Sequence, residues 1–208
     1  MTTILLIRHA ATDTAGKKLT GWTKGVHLND KGQQQAEALA KRLEQAPIKA
    51  IYSSPLERTL ETARPLARSK ELQIVSRPGL GEIRYGQWTG KSIKQLGRNK
   101  LWPVIQFSPS LARFPGGESF TETQARLVAE VETLRIRHPK DLIACFSHAD
   151  SIKLIVAHYL GLPLDMFQRL AVSPASISAL QIHSQRAVLL RLNDTGPVES
   201  EPTTTGSK

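Results

Sequence analysis

The chain has 208 residues, 40% of them apolar and 22% charged, with a formal net charge of +10 and one cysteine, Cys145. That length supports one domain with a full core, and no apolar run approaches the roughly 18 residues of a membrane span. The lone cysteine excludes an internal disulfide, and the N-terminus lacks the basic and long apolar regions of a signal peptide, so the expected compartment is the cytoplasm. The positive charge favours anionic partners. Basic residues are nevertheless scattered from Lys17 to Arg191, and the densest group, Lys91, Lys94, Arg98 and Lys100, has only Trp102 nearby. A nucleic-acid surface interleaves aromatic side chains among its charges, so this group reads as solvated surface and no nucleic acid is expected.

In chain order, Thr3–Arg8 reads as a buried strand, followed by a loop and a helix over about 30–45. Ala36, Leu39, Ala40 and Leu43 share one face of that helix, with Asn29 as its N-cap. "KAIYSS" is a second strand, and Pro55 suits the first turn of a helix running to about Arg68. "LQIVS" is a third strand. Residues 84–118, rich in Gly and Pro, show little periodicity and read as a lid or insertion. A helix over about 119–137 keeps Leu127, Val131 and Leu134 in register, with Ser119 near its N-cap. "DLIACFS" is another continuous apolar strand. A helix at 151–160, a short helix after Pro163 and alternating strands near 176–182 and 186–192 complete residues 1–193. The stretch 194–208, rich in Thr, Ser, Pro and Gly, reads as a disordered tail. Strand–helix alternation with continuous apolar strands predicts a three-layer α/β/α sandwich with a mostly parallel central sheet.

Ligands of open α/β sheets gather at the carboxyl ends of the strands. Two of the most apolar strands end in histidine, Ile4–Ile7 running into Arg8-His9 and Leu142–Ser147 into His148. Arg58 falls in the first turn of a helix directly after a strand, where free N–H groups also favour anions. Glu82 follows a glycine just after the third strand. The expected product is a positively charged pocket with one carboxylate beside it.

"RHAAT", "YSSPLERTLETA", "LGEIRYGQWTG", "FPGGES" and "FSHADSIKLIVAHYLGLP" occur in the order of the histidine phosphatase superfamily, and the chain resembles the short bacterial branch of its phosphoglycerate mutase-like family over about 3–193. The resemblance implies that His9 is the nucleophile and Glu82 the general acid and base. It implies that Arg8, Arg58 and His148 bind the phosphoryl oxygens, with Thr12 and Ala149 as further phosphate contacts. It also places Thr20, Gly21 and Trp22 at a substrate pocket, and it implies neither a metal nor a cofactor. Phosphoryl transfer develops charge on the equatorial oxygens, which fixed cations stabilise. Ala10 and Ala15 stand where the family carries glycine and asparagine, and "SHAD" replaces the commoner histidine-glycine-glycine. Alanine permits close backbone approach, but only glycine tolerates positive φ.

Other readings are weaker. Cys145 lacks the arginine six residues on that a cysteine phosphatase needs; Ser151 stands there. Only Asp13 follows the first strand, where a haloacid-dehalogenase site needs two aspartates, and there is no GxxxxGK[ST] loop. His27, His138, His158 and His183 have no metal-ligand spacing. The expected function is a phosphomonoesterase acting on a small phosphorylated metabolite. The alternatives are a phosphoglycerate mutase, kept open by "LTGWTKGVHLNDKG", and a non-catalytic phospholigand-binding module. Sugar phosphates, phosphoglycerate and an alpha-ribazole-type phosphate all remain open as substrates, and oligomeric state is open too, a homodimer included.

Overall fold

Apolar runs such as ILLI and LIACF need cover on both faces, and the structure supplies it. The computed structural model describes residues 1–196. Six strands form one sheet: β1 (Thr2–Arg8), β2 (Ile48–Ser53), β3 (Ile74–Ser76), β4 (Leu142–Ser147), β5 (Ile177–Ile182) and β6 (Ala187–Asp194), in the order β3-β2-β4-β1-β5-β6. The first four are mutually parallel, while β5 runs antiparallel to β1 and β6 antiparallel to β5. Alternate residues of β1 enter different cores. Leu5 and Ile7 pack with α1 (Asp30–Arg42) and α2 (Glu57–Lys70), and Ile4 and Leu6 pack on the other face.

The segment between β3 and β4 carries α3 (Ile93–Leu96), α4 (Trp102–Phe107) and α5 (Phe120–Arg137), and α6 (Ala149–Tyr159) follows β4. Leu127, Val131 and Leu134 of α5 and Ile152, Leu154 and Ile155 of α6 fill the second core. The sandwich is therefore three-layered, as the sequence pattern indicates. Asn29 caps α1 by accepting from the Gly32 N–H at 2.9 Å, and Ser119 and Glu122 form a capping box on α5.

Several boundaries differ from the sequence expectation. α2 begins at Glu57, not in a turn containing Pro55, because Leu56 keeps extended backbone (φ −79°, ψ 140°) as its N-cap. α6 begins at Ala149 rather than 151. Residues 84–118 are built of single turns too short to show a period, yet Tyr85, Trp88, Leu96, Ile105 and Phe114 are buried in the α5–α6 core. Edge-to-face contacts of Tyr85 and Trp88 with Phe114, at 4.9 and 5.6 Å between centroids, tie the segment together. The segment is also paired to the loop after β1: the Leu19 N–H donates to the Lys91 carbonyl at 3.0 Å and the Ile93 N–H to the Lys17 carbonyl at 2.9 Å. The chain does not leave the fold at 194. Asp194 ends β6, accepting from Arg42 at 2.8 Å and pairing with Arg191 at 2.9 Å. The rest of the expected tail, 197–208, lies outside the described residues. No helix among the described residues is long and apolar enough to cross a membrane.

Candidate active site

β1 and β4 are adjacent, parallel and in register, with Arg8 opposite Ser147. The next residue of each strand is a histidine, so His9 and His148 meet with ring centroids 5.3 Å apart. The His9 N–H donates to the Ser147 carbonyl at 3.0 Å, which fixes its backbone. Its ring Nδ1 lies 2.8 Å from the Ala10 carbonyl. A carbonyl only accepts, so Nδ1 carries the proton and Nε2 keeps its lone pair. Burial, reinforced by Arg58 and Arg8, pushes the His9 pKa down to about 3, so the ring is neutral at ordinary pH. His148 is the N-cap of α6 and fully enclosed. Its Nδ1 accepts from Arg58 at 3.2 Å and its Nε2–H donates to the Ser54 hydroxyl at 2.9 Å. Burial and Arg58 hold it neutral as well.

Arg58, in the first turn of α2, is 1% exposed and donates through Nη2 to the Gly21 carbonyl at 2.9 Å. Arg8 donates through Nη1 to the Val172 carbonyl at 2.7 Å. Arg8 Nε, Arg58 Nε and Arg58 Nη1 are buried with no hydrogen-bond partner. Leaving a buried donor unmade costs about 1–3 kcal/mol, more for a charged group. Two arginines buried this way beside one cleft form a site in want of an anion.

Glu82 approaches from the loop after β3. Its Oε1 accepts from the Ile83 N–H at 3.0 Å and the Ser151 hydroxyl at 3.3 Å, and Oε2 lies 3.9 Å from His148 Nδ1. Burial is the main reason its pKa rises to about 7; Asp150 adds to the rise, and Arg58 opposes it. The loop is held from behind by Arg126 of α5, which donates to the carbonyls of Gly79 at 3.0 Å, Gly81 at 3.1 Å and Glu82 at 3.2 Å. Glu118 anchors Arg126 at 2.9 Å and also accepts from the Arg84 N–H at 3.0 Å. "FPGGES" therefore does more than start a helix.

Arg8, His9, Thr12, Thr20, Glu82 and Ala149 line one cleft, with Arg58 and His148 enclosed beneath it. Ala149 opens α6, whose first-turn N–H groups lack intrahelical partners. Gly21 contributes its carbonyl to Arg58 rather than a surface to the cleft. Trp22 is not among the residues lining this cleft: its indole N–H donates to the Glu82 carbonyl at 2.7 Å, and its ring carries the Arg84 guanidinium 4.1 Å from the centroid. Gly81 is required beneath it, since a Cβ there would lie 2.3 Å from the indole. Ala10 is buried, donates its N–H to the Thr62 hydroxyl at 2.9 Å and does not adopt positive φ, so this position needs no glycine. Ala15 lines the cleft without a polar side chain to offer.

Residues 4–195 match the histidine phosphatase superfamily, branch 1. This chain belongs to that superfamily. It is 29% identical to phosphoserine phosphatase 1 of Hydrogenobacter thermophilus, covering 94% of this chain and 93% of the relative. It is likewise 29% identical to a probable phosphoglycerate mutase, GpmB, of Photorhabdus laumondii, covering 86% and 84%. Among solved structures it resembles a mycobacterial glucosyl-3-phosphoglycerate phosphatase complexed with VO3, with a TM-score of 0.84, 26% identity and coverage of 92% and 98%. In this histidine phosphatase, sequence reading missed Arg126, Lys18, Tyr85 and Ile93. Lys18 and Ile93 line the cleft but lie outside the quoted motifs, Tyr85 lines it from within "LGEIRYGQWTG" without a periodic pattern to mark it, and Arg126 works through backbone carbonyls distant in sequence.

Proposed function

We propose that this protein is a phosphomonoesterase that hydrolyses a small phosphorylated metabolite through a phosphohistidine. The observation that carries the reading is a half-buried Arg8 and a buried Arg58, neither in an ion pair and both with buried, unpartnered N–H groups, beside a neutral histidine whose Nε2 is free. Arg8 and Arg58 hold the phosphoryl oxygens, assisted by Thr12, the Ala149 N–H and His148, which stays neutral and donates from Nδ1 in the tautomer whose Nε2 accepts from the Ser54 hydroxyl. His9 Nε2 attacks phosphorus, an N–P bond forms, and the P–O ester bond breaks. Glu82, protonated, gives its proton to the departing alkoxide oxygen. The resulting carboxylate then takes a proton from water as the water oxygen attacks phosphorus. The N–P bond breaks, phosphate leaves, and His9 and the Glu82 acid are restored. Residues 84–118 cover one side of the cleft, and the buried thiol Cys145 suits a reducing cytoplasm.

The name of the Photorhabdus relative favours a second reading, a mutase, which would return the phosphoryl group to the organic product instead of water. Incubation with an aryl phosphate, and separately with 3-phosphoglycerate plus bisphosphoglycerate, distinguishes them. Free phosphate supports hydrolysis; 2-phosphoglycerate without phosphate supports the mutase. His9→Ala should abolish turnover in either case, and wild-type turnover in that variant would overturn the proposal.

A further inference from the structure

The outer part of the cleft carries two charges that phosphoryl binding does not use, Lys18 and Asp150. Asp150 is already compensated, since Lys153 of the same helix donates to it at 3.2 Å. Lys18 is not. Its side chain has no ion-pair or hydrogen-bond partner among the described residues, although its backbone is fixed. The Lys18 N–H donates to the Thr14 carbonyl at 3.1 Å, the residue bridges antiparallel to Ser92, and the adjacent Leu19 N–H binds the Lys91 carbonyl at 3.0 Å. This is a cation mounted on a short two-stranded ladder at the cleft wall, not a lysine on a loose loop. The other strand of the ladder carries Lys91 and is followed by Lys94, both exposed, with Ile93 between them lining the cleft.

From this we infer that Lys18 is a specificity residue, and that the substrate carries a second anionic group, a carboxylate or a second phosphate, on the organic part beyond the ester oxygen. The inference rests on the phosphomonoesterase reading. Lys18 lines the cleft with an ammonium that no carboxylate of the described residues compensates, so a second anionic group on the substrate would find a partner there. A charge-assisted hydrogen bond to such a group is strong enough to set preference, and cations at a cleft mouth concentrate esters that carry a second anionic group over those that carry the phosphate alone.

The test compares kcat/KM for four small esters: ethyl phosphate, phosphoethanolamine, 2-phosphoglycolate and ethylene glycol bisphosphate. Wild type should prefer at least one of the two esters with a second anionic group over ethyl phosphate by roughly tenfold or more, with phosphoethanolamine no better than ethyl phosphate. Lys18→Met should collapse that ratio by roughly tenfold, mostly through KM, and Lys18→Arg should retain it. A ratio unchanged in Lys18→Met, or no preference in wild type, overturns the inference while leaving hydrolysis intact. Absence of turnover on all four esters and on an aryl phosphate overturns the phosphomonoesterase reading itself. Lys18 is exposed, so loss of fold does not confuse the outcome.

Discussion

Replacing Glu82 with glutamine keeps the shape of the side chain and removes its titration. The pKa of about 7, raised from an ordinary 4.5 chiefly by burial, means that near neutrality about half of the molecules carry the acid. If that acid protonates the leaving oxygen, Glu82→Gln should lower turnover of an alkyl phosphate by about 10²–10⁴. Turnover of a nitrophenyl phosphate, whose leaving group needs little protonation, should fall far less. Wild-type kcat/KM should decline above about pH 7 as the acid is lost, whereas the variant should lack that limb. Stability should move the other way. A carboxyl whose pKa is higher in the folded state stabilises the fold below its unfolded value, and that contribution is lost as pH rises through the folded value near 7. A rise of this size corresponds to something on the order of 3 kcal/mol. Glu82→Gln should therefore unfold at a higher temperature than wild type at pH 8–9 and gain little at pH 5. Stopped assays over pH with both esters, paired with thermal melts, read all of this. Equal losses for both esters, or an alkaline limb surviving in the variant, would refute the general-acid role; a melting difference independent of pH would refute the buried-carboxylate argument.

Two further outcomes follow from the neighbouring residues. Arg58→Met removes a buried cation that lacks a carboxylate partner, so the empty protein should melt no lower than wild type. The stabilisation that wild type gains from millimolar phosphate or vanadate, about 1.4 kcal/mol per tenfold ligand above Kd, should vanish in a melting titration. Arg126→Gln leaves Glu118 only the exposed Arg84 guanidinium, 3.8 Å away, and frees three loop carbonyls. It should cost about 3 kcal/mol in denaturant unfolding and lower kcat more than it raises KM, because Glu82 is displaced while Arg8 and Arg58 are not.

The sheet and the side chains gathered at the cleft were readable because their signals are local. A continuous apolar strand followed by Arg-His, a strand followed within a few residues by Arg58, and a glycine followed by Glu82 each lie within one short window. Parallel order at the strand ends then brings them together. What escaped reading depends on tertiary distance. Arg126 sits 44 positions from the Glu82 carbonyl it holds, and nothing in α5 marks it as different from a surface arginine. Trp22 has the composition of a pocket wall, and only the fold reveals that its indole supports a carbonyl. Ala10 departs from the family pattern, yet its backbone never needed glycine, since its N–H is met by Thr62 without positive φ. Residues 84–118 gave little period because each helical turn there is shorter than the window a period requires.

His9 is bonded on both sides of its backbone, through its N–H to the Ser147 carbonyl on β4 and through its carbonyl to the Ala175 N–H at 3.4 Å just before β5. Those neighbours belong to the middle of the six-stranded sheet. The His9 amide is thus held by the most cooperative unit of the molecule, and solvent hydrogen reaches it only when the sheet itself opens. Fraying of the β3 and β6 edges would leave the His9 ring in place, so the proposed nucleophile depends on the centre of the sheet rather than on its edges.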